Sequence, residues 1–215
     1  MDDSYDYIHD PVDIENLSFA RIKAISDLTG FDEQEQQIAM RLIHTCGDPE
    51  ITQTLTFFAN PVAKGIQAIE QNCAVLCDVE MVRYGITPRY LTGQAHCFLN
   101  EPGLAEQAKL RHETRTMTAL SYWEPHLSGA IVLIGNAPTA LFRLLEMIRD
   151  GAPKPALIVA MPVGFVGAQE SKQALTELAK KQAVPYITVL GRRGGSALTV
   201  SVYNALGRLQ QGLFL

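Results

Sequence analysis

AIVLIGNAPTALFRLLEMIRDGAPKPALIVAMPVGFVGAQESK, residues 130–172, sets two short apolar runs, AIVLIG and ALIVAMP, on either side of the helical stretch PTALFRLLEMIRD. Neither run alternates polar with apolar residues. A strand written that way buries both faces, the pattern of parallel strands covered by helices. Gly135 closes the first strand, Asn136 is the expected N-cap and Pro138 sits in the first helical turn. The stretch therefore reads as strand, crossover helix, parallel strand.

The same grammar extends outward. CAVLCDV (73–79) and AHCFL (95–99) precede this unit and YITVLG (186–191) follows it, with helical stretches over 104–127, 171–181 and 196–209. Five strands with intervening helices predict a doubly wound, helix-covered α/β sheet. Residues 1–72 read as helical and pack on that sheet. IENLSFARIKAISDLT comes first, then DEQEQQIAMRLIHTC with Asp32 as N-cap and Gly47 as stop. NPVAKGIQAIEQN follows, with Asn60 as N-cap and Pro61 in the first turn. No internal repeat or long linker divides the chain. The expectation is one domain over 1–215, its helical part about 1–72 and its sheet part about 73–215.

Composition narrows the class. With 47% hydrophobic and 19% charged residues and a net charge of −5, the chain has the make-up of a globular enzyme. No run of lysine or arginine exceeds two residues, which argues against nucleic acid or an anionic membrane as partner. No apolar run approaches the roughly 20 residues of a membrane span. The acidic opening MDDSYDYIHDP reads as neither signal nor transit peptide. Cys46, Cys73, Cys77 and Cys97 form no CxxC pair and no zinc spacing, so the cytoplasm is the expected compartment and no metal is expected.

In open parallel sheets, ligands bind beyond the carboxyl ends of the strands. Three junctions there share a form: LIGNAPTALF around Asn136, AMPVGFVGAQESK, and VLGRRGGSALT around Gly194 and Gly195, which opens a helix near Ser196. Each offers free backbone N–H groups at a helix start, suited to an anion, although any one of them is also ordinary turn chemistry. The sequence has neither GxGxxG nor GxxxxGK[ST], so no nucleotide cofactor is expected. Asp78 and Glu80 at a strand end form a possible carboxylate pair without a metal-ligand set beside them.

RLIHTCGDPE, residues 41–50, carries the most informative histidine. At 100° per residue, Ile38, Ala39, Leu42, Ile43 and Cys46 share one stripe; His44 lies close to the opposite side with Gln37 and Met40, and Arg41 is about 60° away. A core histidine would share the apolar stripe. His44 is then a solvated residue, one packed against another element or subunit, or a reagent. The negative end of the helix favours a cation there by about 0.3–1 kcal/mol. Arg41 opposes that cation, and a ligand carboxylate on Arg41 would relieve the opposition. His9, His96, His112 and His126 lie in less informative settings, and Arg111 and Arg115 read as a solvated helix face.

YDYIHDP with SFARI, then RLIHTCGDPE, VLCDVEMVRYGI, the stretch from Ile134 to Lys172 and GRRGGSALTVSVYNAL resemble the precorrin-8X methylmutases, or precorrin isomerases, of cobalamin biosynthesis. The resemblance runs along nearly the whole chain in order; Ala160 stands where many relatives have glycine. It implies a three-layer flavodoxin-like fold and a homodimer with a large tetrapyrrole cavity near the subunit interface. The implied reaction moves a methyl group from carbon 11 to carbon 12 of ring C, giving hydrogenobyrinate. The family's [RK]-x-x-H-x-x-G stretch places its catalytic histidine on His44 and a substrate-contacting arginine on Arg41; the serine of the SF pair falls on Ser18. Thr87, Arg115, Asn136, Gly194 and Gly195 are expected in the pocket wall. Two other classes fit parts of the sequence: a corrinoid carrier using the same anion sites, and a nucleotide-binding flavodoxin-like domain.

Overall fold

The computed structural model describes residues 5–215, and the first four residues of the acidic opening lie outside the described residues. Helices and strands follow in the order α1 (Pro11–Ile25), α2 (Glu33–Cys46), β1 (Leu55–Phe58), α3 (Pro61–Glu70), β2 (Val75–Cys77) and α4 (Glu80–Gly85). Next come β3 (Ala95–His96), α5 (Leu104–Arg111), α6 (Arg115–Ala119), β4 (Ile131–Ile134) and α7 (Pro138–Arg149). The chain ends with β5 (Leu157–Ala160), α8 (Ala168–Gln182), β6 (Tyr186–Val189) and α9 (Ser196–Gln210).

One six-stranded sheet runs in the order β1-β6-β5-β4-β2-β3, antiparallel only between β1 and β6. Every residue of β4, β5 and β6 is buried, which is why their runs do not alternate. Ile131, Leu133, Leu157 and Val159 pack into a core with α2, α3 and α9. Val132, Ile134, Ile158 and Ala160 face the other way, into a second core with α7 and α8. Each large side chain so buried contributes about 1.5–3 kcal/mol relative to exposure. Two cores sandwich the sheet, and the helices of 5–72 belong to the first.

The sheet has six strands where five were expected. The extra one, β1, lies in the region read as helical: LTFF is too short for a pattern of its own and becomes a strand by pairing Leu55 with Val189 and Phe58 with Tyr186. Taken by themselves, the parallel strands stand in the spatial order β3-β2-β4-β5-β6, that is 2-1-3-4-5 in their own sequence order. AHCFL contributes only Ala95 and His96 as strand. The expected helix over 104–127 is broken. His112 turns into the left-handed region (φ 53°) to end α5, Thr114 caps α6, and 3-10 turns carry the chain on past His126. Arg111 and Arg115 therefore belong to different helices, both exposed. The N-cap of α7 is Ala137 rather than Asn136.

Candidate active site

The frame of the site is α2. Asp32 accepts from the Glu35 N–H while the Glu35 side chain accepts from the Asp32 N–H, a reciprocal cap that starts the helix. Gly47, at φ 68°, ends it in the left-handed conformation that glycine adopts without strain. Ile38, Ala39, Leu42 and Ile43 are buried as the stripe requires, while Cys46 emerges exposed. His44 is exposed in the last turn. Gln37 and Met40, on its side of the helix, are covered: the Gln37 Oε1 accepts from the Leu215 N–H at 2.7 Å, and Met40 shares a small cavity with Phe19.

The second element is α1, which brings Ser18 and Phe19 to His44. Ser18 Oγ lies 2.8 Å from His44 Nδ1. Phe19, buried, stacks on the imidazole with ring centroids 5.0 Å apart and planes 21° from parallel. The ring is thus held at one nitrogen and along one face. Its Nε2 has no hydrogen-bond partner among the described residues.

Arg41 has an anionic partner within the chain. Its Nη2 donates to Glu15 Oε1 at 2.9 Å, its guanidinium lies 4.6 Å from the centre of the Phe19 ring, and Arg208 approaches the same Glu15 oxygen at 3.7 Å. The hydrogen bond from Arg41 holds the Glu15 carboxyl below its ordinary value against the effect of burial, helped by the charges of Arg208, Arg41 and His44. This glutamate lies 26 residues upstream of Arg41. Two arginines share one carboxylate, and both Nε atoms are buried without a partner among the described residues.

A cavity of about 410 Å3 adjoins the end of α2. Cys46 and Asp48 form one wall, Val163 and Phe165 of the β5–α8 loop another, and Arg193 and Gly194 of the β6–α9 loop a third. Arg193 is tied across to Asp48, and Arg192 lies over the exposed Phe165 ring at 5.5 Å. Of the three glycine junctions, two therefore meet here. Gly194 is required by packing: a Cβ on it would stand 2.1 Å from the Met161 carbonyl oxygen. Gly195 donates its N–H to that same oxygen at 2.8 Å and precedes the first residue of α9.

The third junction is already filled. Asp78, following β2, accepts from the N–H groups of Gly135 (3.1 Å), Asn136 (2.8 Å) and Ala137 (2.9 Å) at the start of α7. Burial pushes its carboxyl up while those donors pull it down. Between β2 and β4, where the strand order reverses and such sheets bind ligands, these N–H groups are thus taken up by a side chain of the protein. Glu80 is no partner to Asp78; it pairs with Arg83 and accepts from Asn100.

Ser18, Arg41 and His44 form one cluster around Phe19, whereas Gly194 borders the cavity, whose lining includes none of those three. Asn136 is exposed above the Asp78 cap. Thr87 donates its N–H to Asn204 of α9 at 2.9 Å, and Arg115 donates to the Leu99 carbonyl beyond the edge strand β3. Neither borders the cavity. Sequence reasoning missed Glu15, Phe19 as the stacking partner, and Arg192 and Arg193, whose signal was an arginine pair in a loop at the carboxyl edge of the sheet. Among the described residues no three His, Cys, Asp or Glu are grouped to hold a metal ion, and no helix is long and apolar enough to cross a membrane.

Known proteins share this architecture. The precorrin-8X methylmutase from Thermus thermophilus superposes with a TM-score of 0.84 at 36% identity, covering 94% of this chain and 98% of that one. A precorrin-8X methylmutase of Sinorhizobium sp is 47% identical over 206 residues, 95% of this chain and 97% of its own length. A cobalt-precorrin-8 methylmutase of Methanocaldococcus jannaschii is 39% identical over 176 residues, 82% and 80% of the two chains. The precorrin-8X methylmutase family profile matches residues 13–209, a span that takes in the clamp on His44, the Asp78 cap and all three cavity walls. By sequence along nearly its full length and by fold, this chain belongs to the precorrin-8X methylmutase family.

Proposed function

We propose that His44 Nε2 gives a proton to the macrocycle of precorrin-8X, or of its cobalt-containing counterpart, and takes it back as a methyl group passes from carbon 11 to carbon 12. The chain is an isomerase of cobalamin biosynthesis, acting as a methylmutase on precorrin-8X or cobalt-precorrin-8. Product and substrate have the same composition, so a group that protonates the ring must also recover the proton. Imidazole is the side chain whose unperturbed charge change falls near neutrality.

The observation that carries this reading is the Ser18–His44 contact at 2.8 Å. A serine hydroxyl both donates and accepts. It donates to Nδ1 when the neutral ring carries its proton on Nε2. It accepts from Nδ1–H when the ring is charged, and again when Nε2 is a bare base. A carboxylate in that place would hold one tautomer; a hydroxyl follows all three states without moving the ring. The chain supplies orientation through Phe19 and Ser18, and Arg41 and Arg208 are the cations it offers to the substrate's acetate and propionate arms.

A homodimer belongs to the same reading. Pockets that hold drug-sized ligands already run to about 300–1,000 Å3. A tetrapyrrole with acid arms exceeds such a ligand, and a cleft of about 410 Å3 grips only part of it. Phe165 and Val166, 86% and 89% exposed at its rim, are suited to meet a second subunit that brings Thr87, Arg115 and Asn136 to the ring. The flavodoxin-like label rests on the 2-1-3-4-5 order of the parallel strands. The reading places the enzyme in the cytoplasm.

The test is His44→Ala given precorrin-8X and, in parallel, its cobalt form, followed by absorption spectroscopy. Retained binding with turnover down by about 10²–10⁴ is expected for loss of a general acid–base. Near-normal turnover removes His44 from the mechanism. Wild-type protein that binds one equivalent and leaves the rest of the pool unchanged would make it a carrier.

A further inference from the structure

Lys172, in the second turn of α8, is completely buried, and no carboxylate lies within ion-pair distance of it among the described residues. Lysine is almost never buried without a counter-charge. Its one hydrogen bond runs from Nζ to the carbonyl of Arg193, at 2.6 Å. Burial pulls the ammonium down to about 8, which leaves it mostly charged at neutral pH.

The Arg193–Gly194 peptide is trans, so its N–H points opposite to its C=O. With the carbonyl drawn towards Lys172, the Gly194 N–H is turned away from it. That N–H has no partner among the described residues, and Gly194 borders the cavity. The loop is fastened around it: Gly195 N–H is spent on Met161, and the Arg193 side chain on Asp48. A cation on the carbonyl also polarises the amide and makes its N–H a stronger donor.

We propose that Lys172 is a positioning residue of the substrate cleft, holding the Arg193 carbonyl so that the Gly194 N–H binds a carboxylate arm of the tetrapyrrole. This inference rests on the methylmutase reading of the same cleft. A lysine kept only for packing would be better replaced by an apolar chain of its own shape, since an uncompensated buried charge costs stability.

The experiment uses Lys172→Met in the full chain. Its thermal midpoint is expected at or above that of wild type. The Kd for hydrogenobyrinate, from absorption titration, and the KM for precorrin-8X should rise about tenfold or more, the effect of losing a hydrogen bond to a charged group, with kcat within about twofold. Unchanged Kd and KM overturn the inference, as does a lowered midpoint with kcat and binding falling together. Should Lys172→Met fail to fold, the wild-type Gly194 amide resonance decides: a downfield shift on saturation with hydrogenobyrinate supports the contact, and an unmoved resonance removes it. Wild-type protein that neither binds hydrogenobyrinate nor converts precorrin-8X sinks the functional reading and this inference together. Wild-type turnover with an unaffected variant sinks this inference alone.

Discussion

Ser18 Oγ meets His44 Nδ1 at 2.8 Å across 26 residues of sequence, joining the middle of α1 to the last turn of α2. The contact leaves Nε2 as the free nitrogen of a ring already fixed on one face by Phe19. Removing the hydroxyl should therefore affect rate more than fold. Ser18→Ala is expected to lower kcat about three- to tenfold, the worth of one neutral hydrogen bond, with a thermal midpoint near that of wild type. Ser18→Thr, which keeps a hydroxyl, should recover most of the loss. Equal activity in Ser18→Ala and wild type would separate the serine from the chemistry.

Glu15 sets an acid limit on stability. Its carboxyl is held below the ordinary value of 4.5 by the Arg41 hydrogen bond, with Arg208 and His44 adding to the effect. The folded state therefore favours the ionised form. The stabilisation is fully present above the unfolded value and is lost as pH falls through the folded one. Urea unfolding of wild type should show a declining midpoint below about pH 4.5, and Glu15→Gln should flatten that decline. At pH 7 the variant should lose about 1 kcal/mol, the upper end for partly exposed pairs, because Arg41 and Arg208 are left facing each other.

Asp78 is the fastening of the sheet's reversal point. Asp78→Ala orphans three N–H groups at the start of α7, those of Gly135 and Ala137 buried, and should cost about 3 kcal/mol in urea unfolding. Asp78→Asn keeps one acceptor oxygen and should cost less. If phosphate or a mononucleotide restores the alanine variant's midpoint, the junction is an anion site that the aspartate occupies. If Ala costs no more than Asn, the cap is not structural.

Gly194→Ala would place a methyl group 2.1 Å from the Met161 carbonyl oxygen, a backbone atom that cannot swing aside. The expected cost is about 1–3 kcal/mol of stability, together with weaker binding of hydrogenobyrinate as the β6–α9 loop lifts. A calorimetric midpoint and a titration on the same sample check both.

Much of this was legible in short-range pattern. The cap at Asp32, the stop at Gly47 and the stripe through Ile38, Leu42 and Ile43 framed α2 and put His44 on its outer side, where it is found exposed. Each of those features depends on residues within about one turn of one another. The continuous apolar runs of β4 and β5 announced burial on both faces for a similar reason. The break between α5 and α6 was not visible, because His112 takes a left-handed conformation that is uncommon for any residue but glycine, and no glycine or proline marks the spot.

What the sequence determined by itself is the set of elements with strong local periodicity, the parallel character of their sheet, the family resemblance and the histidine that leaves the apolar stripe. The tertiary structure alone decided which partners those residues meet. LTFF became the sixth strand only against β6, Glu15 paired with Arg41, and Asp78 capped the N–H groups of the junction at Asn136. The physical reason is range. Periodicity and caps are written within a few residues, whereas an ion pair 26 residues apart or a carboxylate capping N–H groups 57 to 59 residues on exists only once packing has brought its partners together.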